Sequence, residues 1–173
     1  MSSPWRAIWR EPRPVGPPPV RRADWLLVGG FEVATVVEGL ARPQLAGRPD
    51  IILLAMAVLP VLLWRRSHPL ATCLVGFGVA GLLSGISLVA GTDDLGPSSM
   101  MAVLILLYSL VRWGSGREIA VGLPCVVAVV ALGMYAAAAG SADLIGGSLL
   151  LMLFVALATV FRSRVEIWQR RQR

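Results

Sequence analysis

The stretch PLATCLVGFGVAGLLSGISLVAGT, residues 69–92, contains no Asp, Glu, Lys or Arg. A helix needs about 17–25 mainly apolar residues to cross the hydrocarbon core of a bilayer, and this stretch is long enough. Three further charge-free stretches also reach that length, at 95–111, 119–142 and 144–161. The sequence therefore predicts at least four membrane-spanning helices.

The composition of the whole chain agrees with that pattern. Of its 173 residues, 56% are hydrophobic and 15% are charged, whereas soluble domains carry about 25% charged residues. A soluble domain of this size would need more polar side chains to cover its surface. The composition predicts a membrane protein and excludes a soluble enzyme domain.

Two earlier apolar segments are less regular. Residues 24–40 (DWLLVGGFEVATVVEGL) contain two glutamates, and the charge-free run at 51–64 is shorter than the others. As a straight α-helix, that run extends about 21 Å, which is short for a full crossing. We favour two full spans over a re-entrant hairpin. Both alternatives place residues 23 and 66 on the same side of the membrane.

The predicted fold is an all-α, polytopic six-helix transmembrane bundle within residues 24–161. An Arg/Pro-rich tail, residues 1–23, precedes it, and residues 162–173 are expected to continue the last helix beyond the membrane. The predicted spans are about 24–40, 50–64, 69–91, 96–111, 119–139 and 144–161.

The arginines set the expected orientation. All 16 basic residues are arginine, and with six spans 14 of them fall on one side. Cytoplasmic loops are enriched in basic residues, so both termini are expected in the cytoplasm, with the protein in the plasma membrane. Trp25, Trp64 and Trp113, together with Arg65 and Arg66, are the expected anchors at that interface, because indoles and arginines favour the headgroup layer.

Two acidic residues of the first span are candidates for sensing or ligand binding. Glu32 lies halfway along the span, where an ionised carboxylate is costly and usually faces a cavity or a partner. We weigh a buried structural hydrogen bond against a ligand, proton or gating role for it. Glu38 lies near the outer interface, where a solvated boundary position is the simpler interpretation.

The remaining candidates lie in turns and on one helix. Asp93 and Asp94 form the acidic pair of an outer loop, which supplies few ligands for a cation, and His68 lies in a cytoplasmic turn. Gly81 and Gly85 form a small-xxx-small pair that permits close helix packing or a dimer contact. The sequence predicts no catalytic residue, metal site or cofactor.

Four segments of the sequence resemble those of a known family. They are RRADWLL at 21–27, LPVLLWRRSHPLA at 59–71 and LLYSLVRWGSGRE at 106–118, followed by the arginine-rich helix at 162–173. Together they resemble the N-terminal membrane domain of sensor histidine kinases of the nitrate-sensor and desaturase-thermosensor class, from high-GC bacteria.

The resemblance implies a sensory domain that passes a stimulus through its last helix to a cytoplasmic kinase module and a response regulator. It also implies a homodimer. Because the arginines flank long apolar runs, we expect membrane lipid, and not nucleic acid, to be their partner. Since His68 does not match the phosphoacceptor motif, no kinase activity is expected of this chain. The alternatives are a six-span substrate-binding subunit of a small-molecule transporter, or a membrane scaffold.

Overall fold

The computed structural model describes residues 13, 19–42, 49–90, 101–136, 148, 149, 151–153, 155–157, 159 and 160. Within these residues the chain forms helices and the short turns between them, without a β-strand. The predicted all-α class is therefore confirmed for this part of the chain. The acidic pair Asp93 and Asp94 and the predicted signalling helix at 162–173 lie outside the described residues.

Helix α1 spans Arg22–Ala41 and is about 30 Å long at the α-helical rise. Its start is defined by Asp24, the third residue of the helix. The Oδ2 atom of Asp24 accepts a hydrogen bond of 2.9 Å from the backbone N–H of Arg21. A carboxylate in the first turn is also favoured by the helix dipole.

Helix α2, Pro49–Val58, continues directly into a 3₁₀ segment, Leu59–Trp64. Pro60 is the second residue of that segment. Because proline has no backbone N–H, it cannot continue the i→i−4 hydrogen bonds of α2, and the helix changes to 3₁₀ geometry at this point. Because a 3₁₀ helix rises about 2.0 Å per residue against 1.5 Å in an α-helix, the two pieces together extend about 27 Å. That is longer than the sequence indicates for a straight α-helix over residues 51–64.

Two of the described helices are long and apolar enough to cross a membrane, judged by length and composition. They are α3, Pro69–Ala90, and α5, Gly116–Ala136, and they lie against each other along the bundle. A Cβ atom on Gly81 of α3 would lie 3.2 Å from the side chain of Val129 on α5. Gly81 therefore packs inside this bundle.

Helix α4, Val103–Trp113, is the centre of the core. Its side chains Leu106, Leu107 and Leu110 are almost completely buried. The residues buried around them come from α4 and its N-cap and from α1, the 3₁₀ segment, α3 and α5: Val28, Leu59, Leu62, Cys73, Phe77, Ala102, Val111 and Val126. Leu151 and Val155, from the helical residues after 147, pack against the same cluster.

Two glycines allow α4 to approach its neighbours closely. A Cβ atom on Gly76 of α3 would overlap the side chain of Leu106, and one on Gly122 of α5 would overlap Leu110. Small residues at helix contacts bring the backbones together, which increases van der Waals packing. The position of α4 between α3 and α5 depends on these two sites.

The beginning of α5 differs from the prediction. We expected a span from residue 119, where the charge-free stretch starts, but the helix begins at Gly116. The reason is a capping box: the Ser115 backbone N–H donates to Glu118 Oε2 at 2.8 Å, and the Glu118 backbone N–H donates to Ser115 Oγ at 3.3 Å. The helix therefore begins with two charged residues, Arg117 and Glu118, ahead of the charge-free stretch.

Candidate functional site

One end of the bundle gathers most of the described charges. The start of α1, the turn at residues 65–68 before α3, the end of α4 and the start of α5 form it, and we call it the arginine end. Its described ionisable side chains include seven arginines and two carboxylates: Arg13, Arg21, Arg22, Arg65, Arg66, Arg112, Arg117, Asp24 and Glu118.

Asp24 is the centre of the arginine end. Its Oδ1 atom accepts hydrogen bonds from Nη2 of Arg65 at 2.6 Å and from Nη2 of Arg66 at 2.8 Å. Its Oδ2 atom is occupied by the backbone of Arg21. One carboxylate of α1 therefore holds two consecutive arginines that are distant from it in the sequence.

Helix α4 also holds the turn that contains Arg65 and Arg66, through a hydrogen bond to its backbone. The Oγ atom of Ser109 on α4 donates a 2.6 Å hydrogen bond to the carbonyl oxygen of Arg65. Nη1 of Arg65 donates at 3.0 Å to the carbonyl oxygen of Leu62, at the end of the 3₁₀ segment. We call Asp24, Arg65, Arg66 and Ser109 the Asp24 clamp; it joins α1, the turn before α3, and α4.

The clamp is largely withdrawn from solvent. The side chain of Asp24 is 6% exposed, that of Arg65 12% and that of Arg66 21%. Burial lowers the pKa of Arg66, the Asp24 charge opposes that shift, and the charges of Arg65, Arg21 and Arg112 add to it. Arg66 thus lies within the field of three other guanidinium groups.

A second contact connects the N-terminal tail with the start of α5. Nε of Arg13 donates to Glu118 Oε2 at 2.9 Å, and its Nη2 donates to Oε1 at 2.5 Å. The hydrogen bond to Glu118 raises the pKa of Arg13. Because the Arg13 side chain is 53% exposed, this pair is expected to contribute little to stability.

Aromatic side chains accompany the arginines at this end. The guanidinium of Arg112 lies 5.2 Å from the ring centroid of Trp113, and its Nη1 donates to the Tyr108 hydroxyl at 2.6 Å. Trp25 and Trp64, the chain neighbours of Asp24 and Arg65, are 63% and 54% exposed. Exposed indoles therefore lie directly beside the buried clamp.

His68, a predicted sensing candidate, is exposed in the turn before α3. Its Nδ1 atom is 3.1 Å from Ser67 Oγ, and its carbonyl oxygen accepts hydrogen bonds from the backbone N–H and the hydroxyl of Thr72. In the described contacts, the backbone carbonyl of His68 therefore forms the first hydrogen bonds of α3. These contacts do not connect its ring to another ionisable group.

The two glutamates of α1 have different surroundings. Glu32 is half-buried and has no hydrogen-bond or ion-pair partner among the described residues. Nε of Arg42 lies 3.1 Å from Oε1 of Glu38, within one turn of the same helix. The structure does not bring either glutamate to the Asp24 clamp.

The two glycines of the predicted small-xxx-small pair also differ. Gly81 contacts Val129 of α5, whereas a Cβ atom on Gly85 would meet nothing within 4 Å. The predicted interface anchors Arg65 and Arg66 lie in the Asp24 clamp, each with a carboxylate partner.

Sequence reasoning does not identify Asp24 or Ser109 as site residues. Asp24 is one of several charges at the start of the first span, and Ser109 lies within an apolar run. The available signal is an acidic residue in RRADWLL and an arginine pair in LPVLLWRRSHPLA. Pairing these two distant segments requires knowing that both lie at the same end of the bundle.

The described residues offer limited chemistry. They contain no group of three His, Cys, Asp or Glu side chains that could hold a metal ion. Of the two free cysteines, Cys73 is buried and Cys125 is exposed. The arginine end offers guanidinium donors, and the Asp24 clamp links α1, the turn before α3 and α4 by hydrogen bonds.

No protein-family model matches the chain, and neither a curated protein nor a solved structure resembles it significantly.

Proposed function

We propose that this chain is the membrane-embedded signal-input domain of a two-component sensor histidine kinase. It is a six-span bundle in the plasma membrane, with both termini and the arginine end in the cytoplasm. It functions as a homodimer, and its last helix passes the signal to a kinase module, which phosphorylates a response regulator.

The observation that carries this proposal is the composition of the Asp24 clamp. The three segments with the family resemblance, at 21–27, 59–71 and 106–118, each contribute to it: Asp24 from the first, the arginine pair from the second and Ser109 from the third. Segments that are far apart in the sequence thus form one structural unit.

The surface of the helices supports a lipid environment. Large apolar side chains stand out from the bundle, among them Leu26 at 77%, Leu40 at 81% and Val89 at 91% exposure. Soluble proteins rarely expose large contiguous apolar areas. In a bilayer these side chains face acyl chains, and the exposed indoles Trp25 and Trp64 lie at the depth of the headgroups.

In this proposal the Asp24 clamp transmits the signal from α1 to α4. A stimulus that shifts α1 changes the hydrogen bonds at Asp24 and therefore moves the turn at residues 65–68, and Ser109 couples that turn to α4. Leu151 and Val155 pack against the core around α4, so the last helical residues follow its position. A few kcal/mol between two packings is enough for such a switch.

The reading frame beyond codon 173 of the source gene tests the proposal directly. We expect it to encode a helix with a His followed by an acidic residue, and then an ATP-binding domain.

Cysteine labelling of intact cells tests the topology: Arg42→Cys is expected to react with a membrane-impermeant maleimide, and Ser67→Cys is not. A stop codon at 174, or the reverse labelling pattern, contradicts the proposal.

Glu32 favours the second candidate, a substrate-binding subunit of a transporter. A half-buried carboxylate without a described partner, midway along an apolar helix, is typical of residues that contact a substrate or proton. Transport that is lost in Glu32→Gln identifies that function. Signalling that is unchanged in Glu32→Gln, across stimuli and pH, assigns Glu32 a structural role. A scaffold function predicts that Glu32→Gln changes neither transport nor signalling.

A further inference from the structure

The arginine end has an excess of positive charge that the described carboxylates do not balance. Seven arginines share it with Asp24 and Glu118, and Asp24 already accepts hydrogen bonds from Arg65, Arg66 and the backbone of Arg21. We propose that the arginine end binds the phosphate of an anionic phospholipid headgroup, next to Arg66 and Arg21. This inference rests on the proposed membrane-embedded function.

The clamp leaves donors for such a ligand. A guanidinium carries five N–H donors, and the described contacts of Arg66 use two of its nitrogens, Nη2 to Asp24 and Nη1 to the Pro19 carbonyl at 3.5 Å. The second of these is at the limit of a hydrogen bond. Arg66 is therefore held in place by Asp24 with N–H donors left over, and its side chain remains 21% exposed.

Asp24 has a specific role in this site. Without a carboxylate between them, two consecutive guanidinium groups would repel each other and turn into solvent. With Oδ1 of Asp24 between Nη2 of Arg65 and Nη2 of Arg66, at 2.6 and 2.8 Å, both remain at one place. A preorganised guanidinium binds phosphate with less loss of side-chain entropy than a free one.

The surroundings favour a lipid over a soluble anion. Trp25 and Trp64 flank the clamp and are largely exposed, and the large apolar side chain of Leu26 follows immediately at 77% exposure. An indole prefers the headgroup layer because its ring is apolar and its N–H is polar. Arginines, exposed indoles and exposed apolar side chains thus occur together at this end of α1, which is the combination expected at a membrane interface.

The opposite end of α1 provides the internal comparison. Arg42 lies there beside Glu38, with Nε 3.1 Å from Oε1, and the Asp50 carboxylate begins α2 nearby. This end has no surplus of arginine among the described residues. It is expected to show no preference for an anionic headgroup.

Native mass spectrometry of the full chain in detergent tests the proposal. Equal amounts of dioleoyl phosphatidylglycerol and dioleoyl phosphatidylcholine compete for the first bound lipid. We expect the wild type to prefer phosphatidylglycerol, and Arg66→Gln and Arg21→Gln each to lower that preference about fivefold, from about 1 kcal/mol per arginine at an anionic surface. Arg21→Gln retains the clamp, because Arg21 contacts Asp24 through its backbone.

Arg42→Gln is the matched control, since it removes the same charge from the other end of α1. An equal loss of preference in Arg42→Gln and Arg66→Gln overturns the proposal, because it indicates a net-charge effect. A wild type without preference overturns it as well. Displacement of phosphatidylglycerol by millimolar inorganic phosphate overturns the assignment to a lipid and identifies a site for free phosphate.

Alkaline carbonate extraction separates this inference from the proposed function. A chain that remains in the membrane pellet but shows no lipid preference refutes the headgroup site alone. A chain that is extracted into the supernatant refutes the membrane-embedded function itself.

Discussion

Helix α1 carries one carboxylate near each end, and the two form different kinds of ion pair. Asp24, with a side chain 6% exposed, binds two arginines that belong to a distant turn of the chain. Glu38, with a side chain 15% exposed, pairs with Arg42, one helical turn further along the same segment, and the Arg42 side chain is 45% exposed.

The Asp24 ion pairs depend on the tertiary structure, whereas the Glu38 ion pair depends on the local helix. An exposed pair at i, i+4 stabilises a helix by about 0.3–0.5 kcal/mol, and it forms in any conformation in which the helix exists. Breaking a buried pair by removing one partner costs about 3–5 kcal/mol, because a charge remains buried without compensation. The Asp24 clamp therefore reports on the assembly of the bundle, whereas the Glu38–Arg42 ion pair joins two residues one turn apart, at the C-terminal end of α1.

The first prediction tests this difference with the same chemical change at both ends. Asp24→Asn is expected to destabilise the bundle by about 3 kcal/mol, because two partly buried guanidinium groups lose their counter-charge. Glu38→Gln is expected to cost about 0.5 kcal/mol or less. Unfolding of both variants in detergent, titrated with SDS and followed by tryptophan fluorescence, measures the two values. Equal losses would show that the two ion pairs are equivalent.

The second prediction compares two glycines of α3, one that contacts the core and one, further from the arginine end, where an added Cβ atom meets no described residue. Gly76→Ala places a methyl group into the buried Leu106 side chain and is expected to cost about 1–2 kcal/mol. Gly85→Ala meets nothing within 4 Å and is expected to be neutral, or to stabilise by up to about 1 kcal/mol through helix propensity.

The same SDS titration measures both glycine variants. A loss in Gly85→Ala as large as that in Gly76→Ala would indicate that the Gly85 surface contacts a second molecule, such as the partner in a homodimer. The comparison of the two positions would then report on oligomerisation in addition to packing within the bundle.

The third prediction compares two buried serines, one that bonds to another element of the bundle and one that bonds within its own helix. Ser109, 1% exposed, donates to the Arg65 carbonyl in another element, whereas Ser87, 2% exposed, donates to Leu83 within its own helix. Ser109→Ala is expected to cost about 1 kcal/mol, because the buried carbonyl loses its donor. Ser87→Ala is expected to cost less, because the Leu83 carbonyl lies within the helical ladder. Thermal unfolding in detergent that ranks Ser87→Ala as the more damaging change would contradict the clamp.

The helices are largely predictable from the sequence, and the clamp is not. The charge-free run at residues 69–92 predicts α3 because burial of apolar side chains and the lack of charge are properties of each residue by itself. The contact between Asp24 and Arg65 is a property of a pair. Periodicity and composition do not identify a partner in a distant segment, so the sequence presents Asp24 as an ordinary boundary residue.

The 3₁₀ segment Leu59–Trp64 is a similar case. The proline at position 60 is visible in the sequence, but its consequence for length is not. A tighter helix with a larger rise lengthens this element, together with α2, to about 27 Å, which supports a full span in the proposed topology. Compared with a straight α-helix over residues 51–64, about half of the added length comes from residues 49 and 50 and about half from the larger 3₁₀ rise.

The sequence by itself determined the helical class and the uneven distribution of arginines, because both follow from residue type and spacing along one chain. The tertiary structure decided that α4 is the centre of the core and that one buried carboxylate holds two arginines. The physical reason is that close packing and ion pairing depend on distances between elements. Those distances are set only when glycines such as Gly76 and Gly122 admit a neighbouring helix.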